Sequence, residues 1–340
     1  MHGPFRIALA GLLGLLTPPA VAQPSDDAPP EQIIGALPES IAEALTDASR
    51  YRLQSVTVYW DNDGTYPNII DDTDRYYTSG QGVELGFSFD ASDGLGDRLA
   101  PGWQNARFGA GLSLEQQIYT ATDISLVDPP TDDHPYGGWL SLNLAFQRAD
   151  DTRHDHFELG VGVIGEWSGG RWVQDLIHDN IPDEIDPAGW GTQLANELAV
   201  NAVYQRTWRT DKAEVAGVEF DMLPAVRADL GNVFIRARGQ ATLRLGMHLP
   251  DNFGPASLLG FKDHTAGSYA DPEQDWSIYG YVTVSADAVA RNIFLDGNTF
   301  ATSRSTERED FIARGTIGIV ARYKCVEFGW AQTFETESFE

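Results

Sequence analysis

The chain has 340 residues, of which 50 are Asp or Glu and 23 are Lys or Arg, so its formal net charge at pH 7 is -27. Such an acidic composition, without a cluster of basic residues, argues against binding to nucleic acid and against docking on anionic headgroups through a polybasic patch. It is compatible with divalent cations placed between the protein and an anionic partner. The single cysteine, Cys325, excludes an internal disulfide, so the stability of the fold must come from burial or from sheet closure.

Residues 1–22 have the pattern of a secretory signal peptide. Arg6 precedes an apolar run from Ile7 to Leu16, and the small residues Ala20 to Ala22 offer a cleavage site. The run is too short to span a bilayer as a helix, and no later window holds about eighteen apolar residues, so a helical membrane protein is excluded. Residues 23–50 are rich in Asp, Pro, Glu and Ala, which predicts a flexible segment with at most one weak helix.

From Tyr51 onward, apolar and polar residues alternate with the period of a β-strand. Val83, Leu85 and Phe87 alternate with Glu84 and Gly86, and the same pattern recurs through the rest of the chain. The alternating runs are about ten to fourteen residues long, whereas strands of soluble proteins usually have about five or six. A membrane-spanning strand needs about nine to eleven tilted residues with apolar side chains outward, so the length of the runs favours a transmembrane barrel.

The pattern predicts about twelve strands. They lie near residues 51–61, 80–90, 106–119, 138–149, 154–165, 193–209, 214–228, 232–248, 275–290, 291–301, 309–323 and 325–335. An even number of antiparallel strands closes a sheet without an edge, as lipid requires. The predicted fold class is therefore all-β, a transmembrane antiparallel β-barrel over residues 51–340, with aromatic residues near the strand ends forming interfacial girdles.

One segment departs from the period of two. Residues 169–179 have helical periodicity, which predicts a short extracellular loop helix with Trp172, Leu176 and Ile177 as its apolar residues. Gln174 and His178 are four residues apart and so share one face of that helix, where an amide and an imidazole would point the same way. The alternative interpretation is a surface helix with a solvated histidine.

Two acidic segments flank the end of the first strand and the start of the second. They run from Trp60 to Gly64 and from Asp71 to Gly80, and they offer carboxylate, amide and backbone oxygens of the kind that hard cations bind. A solvated acidic turn is the alternative, because Asp, Asn and Gly are ordinary turn residues. A third polar segment, Asp132 to Trp139, precedes the fourth strand. Loops after strands one, three and five share a rim in an up-and-down barrel, so all these segments should converge on the extracellular mouth.

Taken together in order, several motifs resemble the outer-membrane lipid A 3'-O-deacylase family (LpxR-like). The motifs lie at Asp61–Asp63, Asp74–Gly80, His134–Trp139, Gly162–Gly165 with Val173–His178, Pro187–Glu197 and Phe294–Phe300. The resemblance covers most of the chain after residue 22. It implies a twelve-stranded outer-membrane barrel that uses Ca2+ to remove the 3'-acyloxyacyl group of lipid A, with His178 activating the attacking water and the bound calcium holding the oxyanion.

The resemblance also implies the site residues. Asn62 and Asp63 match the family's Asn-Asp pair, Thr78 (or else Ser79) its hydroxyl position, Gln174 its amide and His178 its histidine. The implied catalytic residues are therefore His178, Gln174, Asn62 and Thr78, and the implied calcium ligands are Asp63, Asn62 and Thr78. A neutral imidazole suits a general base, and a divalent cation suits the developing negative charge.

At one position the chain departs from the family. His134 stands where members more often have arginine, which leaves recognition of the headgroup open.

The expected function also implies binding partners, and other functions remain open as alternatives. The expected partners are lipid A, or lipopolysaccharide, and the outer membrane, with no nucleic acid and with the chain acting as a monomer. The main alternative is a barrel without catalysis, either a small porin or a structural protein; arginines on the strands near residues 232–248 and 309–323 would suit either an anion-lined or a plugged lumen. A weaker alternative is an esterase closer to outer-membrane phospholipase, for which only Ser79 offers a serine.

Overall fold

The computed structural model describes residues 50–62, 76–91, 94–179, 186–257 and 275–339. The predicted signal peptide, residues 1–22, and the predicted flexible segment, residues 23–50, lie outside the described residues except for Arg50.

Twelve strands form one antiparallel sheet in which nearly every strand pairs with the next one along the chain. The strands are β1 Tyr51–Asn62, β2 Tyr77–Phe89, β3 Arg107–Tyr119, β4 Gly137–Ala149, β5 Arg153–Ile164, β6 Glu197–Trp208, β7 Ala213–Val215, β8 Val218–Gly231, β9 Phe234–Met247, β10 Trp276–Asn292, β11 Phe311–Tyr323 and β12 Val326–Glu335. The predicted all-β fold of the barrel type is confirmed.

Three short α-helices accompany the sheet in the described part of the chain: α1 Leu95–Leu99, α2 Gly170–His178 and α3 Ile293–Asp296. Two 3-10 helices, Gly165–Ser168 and Gly189–Thr192, lie on either side of α2 in the chain. Helix α2 confirms the loop helix predicted near residues 169–179. None of the described helices has the length and apolar character needed to cross a membrane.

Two strands differ from the prediction. The predicted strand at 214–228 is split, because Ala216 and Gly217 both have positive φ and form a turn between β7 and β8. The predicted strand at 291–301 is wrong: β10 continues to Asn292, whose side-chain oxygen accepts a hydrogen bond from the Phe294 amide and so starts α3. The twelve strands therefore comprise eleven in the main order and one short strand, β7, that pairs with β8 alone.

The two ends of the sheet come near each other at one rim. The ring of Phe339, which follows β12, lies 4.4 Å from the ring of Tyr76, which precedes β2. Among the described strands the pairing runs from β1 to β12, and no pairing that joins β12 to β1 is found there, so the predicted closure is not seen in these residues.

The two faces of the sheet have opposite polarity, with the apolar face outward. On β4, Leu142 and Leu144 are 45% and 61% exposed, whereas Ser141 and Asn143 between them are 2% and 4% exposed. A soluble protein would bury the leucines. Exposed apolar side chains alternating with buried polar ones are the pattern of a strand with lipid outside and a polar interior.

Buried ion pairs fill the interior on the side of β8 to β11. The Asp229 carboxylate lies 2.9 Å from Arg227 and 3.1 Å from Arg236. Asp287 pairs in the same way with two arginines, Arg238 and Arg314. The sequence left open whether the lumen is lined for anions or plugged. The ion pairs favour the plugged lumen, because arginines that could have faced anions in an open pore are bound to carboxylates instead.

We expect Leu142→Arg to lower the free energy of unfolding in lipid vesicles by about 2–4 kcal/mol, because lipid near the bilayer midplane cannot solvate a guanidinium. Urea titration followed by tryptophan fluorescence measures the change. Leu126→Arg is the control, since Leu126 is 39% exposed in the loop between β3 and β4; its effect should stay below about 0.5 kcal/mol. Equal losses in the two variants would contradict the assignment of the outward face.

Candidate active site

The face on which Asn62 lies follows from the alternation along β1. Val58 and Trp60 are 61% and 56% exposed and point outward, whereas Tyr59 is buried. Asp61 also points inward, where it accepts a hydrogen bond from the Tyr77 hydroxyl at 3.4 Å. Asn62, the next residue, is exposed on the outward face.

The register places Asn62 at one end of a row that crosses four strands. Asn62 pairs with Ser79 of β2, Ser79 pairs with Ile118 of β3, and Ile118 pairs with Gly138 of β4. Paired residues of antiparallel strands project from the same face, so these four residues, here called the outer row, all lie on the lipid-facing side of the sheet. The outer row crosses three gaps between neighbouring strands, so it is about 14 Å long from Asn62 to Gly138.

Thr78 occupies a β-bulge beside this row. Tyr77 pairs with Tyr119 and Ser79 pairs with Ile118, which leaves Thr78 as the extra residue. Its Oγ1 lies 2.6 Å from the Oγ1 of Thr120, at the end of β3. Bulges turn a side chain away from the direction that regular pairing would give it, and here the result is a hydroxyl held at the rim. Ser79, the other candidate for the hydroxyl position, stays in the regular pairing and is 5% exposed.

Helix α2 and the turn before it cover the outer row. A Cβ atom on Gly138 would lie 2.1 Å from Ser168 Oγ and 3.3 Å from Gly170 Cα, so only glycine allows this approach. Ile118 is fully buried and packs in a cluster with Trp190 and Val173. The helix therefore lies on the outside of the barrel wall, over β3 and β4.

A second row, one step toward the membrane, supplies hydrogen bonds that hold this cover in place. The Gln81 side-chain amide donates to Gln116 Oε1, and Gln116 Nε2 donates to the carbonyl oxygen of Ser168 at 2.6 Å. These glutamines are absent from the predicted site. The signal that could have identified them is the presence of a polar residue at an outward position, since Gln116 continues the exposed apolar series Leu112 and Leu114.

Gln174 is a buried residue of α2, on the side of the helix that faces the wall. The residue is 2% exposed, and its Oε1 accepts a hydrogen bond from Trp190 Nε1 at 2.8 Å. Its Nε2 is buried and has no hydrogen-bond partner among the described residues. A buried hydrogen-bond donor without a partner destabilises a protein by about 1–3 kcal/mol. This cost favours the interpretation that Nε2 donates to an oxygen atom of a water molecule or a ligand.

His178 ends the same helix and is half-buried. At about 100° per residue, His178 stands about 40° around the helix from Gln174, so the two side chains share a face. The structure thus places Asn62, Thr78, Gln174 and His178 at one end of the sheet and on its outward side. The described parts of the predicted segments thus share one rim, and the helix lies outside the wall rather than in the lumen.

The donors in this region suit a hard cation as far as the described residues extend. Asn62 and Thr78 offer amide and hydroxyl oxygens, which calcium accepts alongside carboxylates. Asp63 and the acidic residues up to Asp74 lie outside the described residues. Among the residues that the structure describes, no group of three or more His, Cys, Asp or Glu side chains is placed to hold a metal.

His134 is buried in an aromatic cluster at the rim. It is 3% exposed, and its ring stacks 5.7 Å from Tyr119 and 5.8 Å from Tyr76. Its Nδ1 donates to the carbonyl oxygen of Pro135 at 2.8 Å. Burial lowers the pKa of His134 from 6.5 to about 4, although the Pro135 hydrogen bond and the charge of Asp133 oppose the shift. The position where the family more often has arginine is thus occupied here by a neutral packing residue.

The loop between β10 and β11 fills the interior at the same end of the sheet. Phe294 is fully buried, and its ring stacks 3.8 Å from that of Tyr119. Glu197 at the start of β6 holds the loop by accepting hydrogen bonds from the Thr299 amide at 2.8 Å and from Asn298 Nδ2 at 3.1 Å. The motifs at Pro187–Glu197 and Phe294–Phe300 therefore have a structural role, since they are hydrogen-bonded to each other and fill the interior beneath the rim.

Comparison with known proteins places this architecture in a family. A family model described as "Outer membrane protein LpxR" matches residues 15–340. The solved structure of LpxR from Salmonella typhimurium is similar, with a TM-score of 0.66 and 22% sequence identity over 84% of this chain and 94% of that chain. At that identity the structural likeness concerns the fold alone. No curated protein matches the chain.

We expect Gly138→Ala to displace α2 from the wall, because the added Cβ would overlap Ser168 Oγ. Hydrogen exchange measured by mass spectrometry should show faster exchange in residues 165–178, with the strands unchanged. Gly239→Ala is the matched control, since a Cβ there would meet nothing within 4 Å. Unchanged exchange in α2 of Gly138→Ala would show that the helix does not depend on this close contact.

We expect His134 to make the protein sensitive to acid. Because burial lowers the pKa of His134 from 6.5 to about 4, the unfolded chain binds the proton more readily between these values. The stabilisation is therefore complete above pH 6.5 and is lost as the pH falls toward 4. The full effect is about 3 kcal/mol.

The variant His134→Phe keeps the ring and removes the titrating nitrogen. Urea titrations in detergent at several pH values between 7 and 4 should show a smaller loss of unfolding free energy than in the wild type. Parallel curves for the two proteins would mean that this histidine does not contribute.

Proposed function

Because the chain belongs to the LpxR family of outer-membrane proteins, we propose that it hydrolyses an acyl ester of lipid A in the outer leaflet, removing the 3'-acyloxyacyl group with the help of Ca2+. The observation that carries the proposal is the position of the polar groups. Asn62, Gln81 and Gln116 stand on the outward face of a transmembrane sheet, and a helix bearing Gln174 and His178 covers that part of the wall.

The location suits an ester inside a membrane lipid. Acyl esters of a lipid lie at the boundary between headgroups and chains, and the outer row lies at the strand ends where that boundary falls. A lipid diffusing in the leaflet would reach the outward face of β1 to β4 without leaving the bilayer. A polar group on this face destabilises the protein in lipid unless another part of the chain covers it. Polar residues at such positions are therefore rare and are usually functional, which favours a functional role for this arrangement.

His178 is proposed to act as the general base. Its imidazole takes a proton from a water molecule as that water attacks the ester carbonyl, and it returns the proton to the 3' oxygen as the carbon–oxygen bond breaks. The products are the free acyloxyacyl acid and a 3'-hydroxyl group. Gln174 is proposed to donate an Nε2 hydrogen to the water or to the carbonyl oxygen; the support is that this buried nitrogen has no hydrogen-bond partner among the described residues.

Asn62, Thr78 and Asp63 are proposed to hold the calcium, as the resemblance implies. When bound there, the cation would supply positive charge that stabilises the negative charge developing on the carbonyl oxygen and reduces the repulsion from lipid A phosphates. Asn62 and Thr78 act in this scheme by offering oxygens at the edge of the outer row. Every residue invoked belongs to one chain, so the proposed active form is a monomer.

The alternative functions receive less support. A porin needs an open interior, whereas the described interior contains paired arginines and is filled at the outer end by Phe294. An esterase that uses Ser79 would need a histidine hydrogen-bonded to that serine, and no such bond is found among the described residues. A purely structural barrel remains as an outcome of the following test.

We expect cells that express the protein to lose one 3'-linked acyloxyacyl mass from lipid A, as measured by mass spectrometry. His178→Ala should lower the rate by about 10²–10⁴-fold, because it removes the general base. His248→Ala is the control, since His248 lies after β9 at the opposite end of the sheet. In purified form, chelation should abolish the activity and added Ca2+ should restore it. Lipid A of unchanged mass in the wild type would refute the hydrolase, and activity that survives chelation would refute the role of calcium.

A further inference from the structure

The side of α2 that points away from the barrel wall is apolar. Trp172 and Leu176 are 64% and 42% exposed, and they stand about 160° around the helix from Gln174, on either side of the direction opposite to it. Because Gln174 and Gly170 face the wall, these two side chains project outward. On the outside of a transmembrane sheet, outward is the direction of the lipid.

Trp167 and Trp60 extend the same surface. Trp167, in the turn that leads into α2, is 61% exposed, and Trp60, next to Asn62 on the outward face of β1, is 56% exposed. Tryptophan is enriched where the headgroup and chain regions of a bilayer meet. The exposed aromatic residues therefore surround the site at the level of that boundary.

This surface is continuous with the lipid-facing band of the barrel. Helix α2 lies over β3 and β4, and below the row of Gln116 the outward residues of these strands are Leu114 and Leu142, which are 54% and 45% exposed. One edge of the helix is polar, where Arg171 pairs with Asp175 at 3.4 Å. An apolar side with a charged edge is typical of a helix that lies in the plane of the membrane interface.

We propose that Trp167, Trp172 and Leu176 seat α2 in the outer leaflet and bind the acyl chains of the lipid substrate, so that the ester is presented to the wall-facing side of the same helix. The occupant is a long-chain acyl group already present in the leaflet. The inference rests on the proposed function for the identity of the lipid. The assignment of this surface to acyl chains has its own support: the exposure of the three side chains and their continuity with the lipid-facing band.

A surface that binds acyl chains affects the binding of the substrate, and so KM, but it does not affect the rate of the bond-breaking step, and so kcat. The double variant Trp172→Gln/Leu176→Gln should therefore raise KM for lipid A in phosphatidylcholine vesicles about tenfold, with kcat within about twofold of the wild type. Trp208→Gln/Met222→Gln is the matched control, because both residues are exposed and apolar on the outward face near the opposite end of the sheet. Its KM and kcat should equal those of the wild type.

A second measurement does not depend on activity. In vesicles of phosphatidylcholine brominated on its acyl chains, the fluorescence contributed by Trp172, obtained as the difference between the wild type and Trp172→Phe, should be strongly quenched. Absence of quenching would place Trp172 in water and overturn the proposal.

The two measurements separate the possible failures. If the wild type does not cleave lipid A, the proposed function is wrong and the quenching alone decides whether α2 is seated in the leaflet. If the wild type is active but the double variant keeps the wild-type KM, the acyl-chain surface is wrong while the hydrolase stands. A fall in kcat at constant KM would also overturn the proposal, because it would assign Trp172 and Leu176 to the chemical step.

Discussion

Lipid replaces water on the outward face of the sheet, and this sets the conditions that every outward side chain must meet. In lipid, an outward side chain must be apolar or must have its polar groups satisfied within the protein. Most of the outward positions obey the first condition, as Leu142 and Leu144 illustrate. The outer ends of β2 and β3 obey the second, since Gln81 and Gln116 are hydrogen-bonded to each other and to the turn before α2.

That constraint explains why a helix is needed at this place. A polar row on the outside of the wall would be unstable unless something covered it, and the cover must come close enough to exclude lipid. Gly138 permits that approach, and Ile118 and Trp190 form a small apolar core between the helix and the wall. Helix α2 thus has two sides of different character, one polar and turned to the wall, the other apolar and turned to the leaflet.

The interior follows the opposite rule and is stabilised by different interactions. Carboxylates such as Asp229 and Asp287 each bind two arginines, and the loop between β10 and β11 fills the outer end with Phe294. The interior at the outer end is therefore filled, whereas the outward side of the wall beneath α2 carries polar side chains that the helix covers. Two irregularities also lie there, the bulge at Thr78 and the amide nitrogen of Gln174, which has no hydrogen-bond partner among the described residues. Local irregularities of this kind are more frequent at functional sites than elsewhere.

Local sequence is enough to predict the fold class, most of the strands and the helix at 170–178, because side-chain periodicity depends only on the local chain and the solvent it meets. It also brought Asn62, Thr78, Gln174 and His178 to one end, because hairpins reverse the chain at every turn. The face of the wall on which Asn62 stands becomes known only from the folded barrel, since its register with Ser79, Ile118 and Gly138 depends on contacts between strands. The folded barrel likewise decided that Ile293 to Asp296 form a helix and that His134 is buried, because both depend on packing against residues far away in the chain, which no local pattern records.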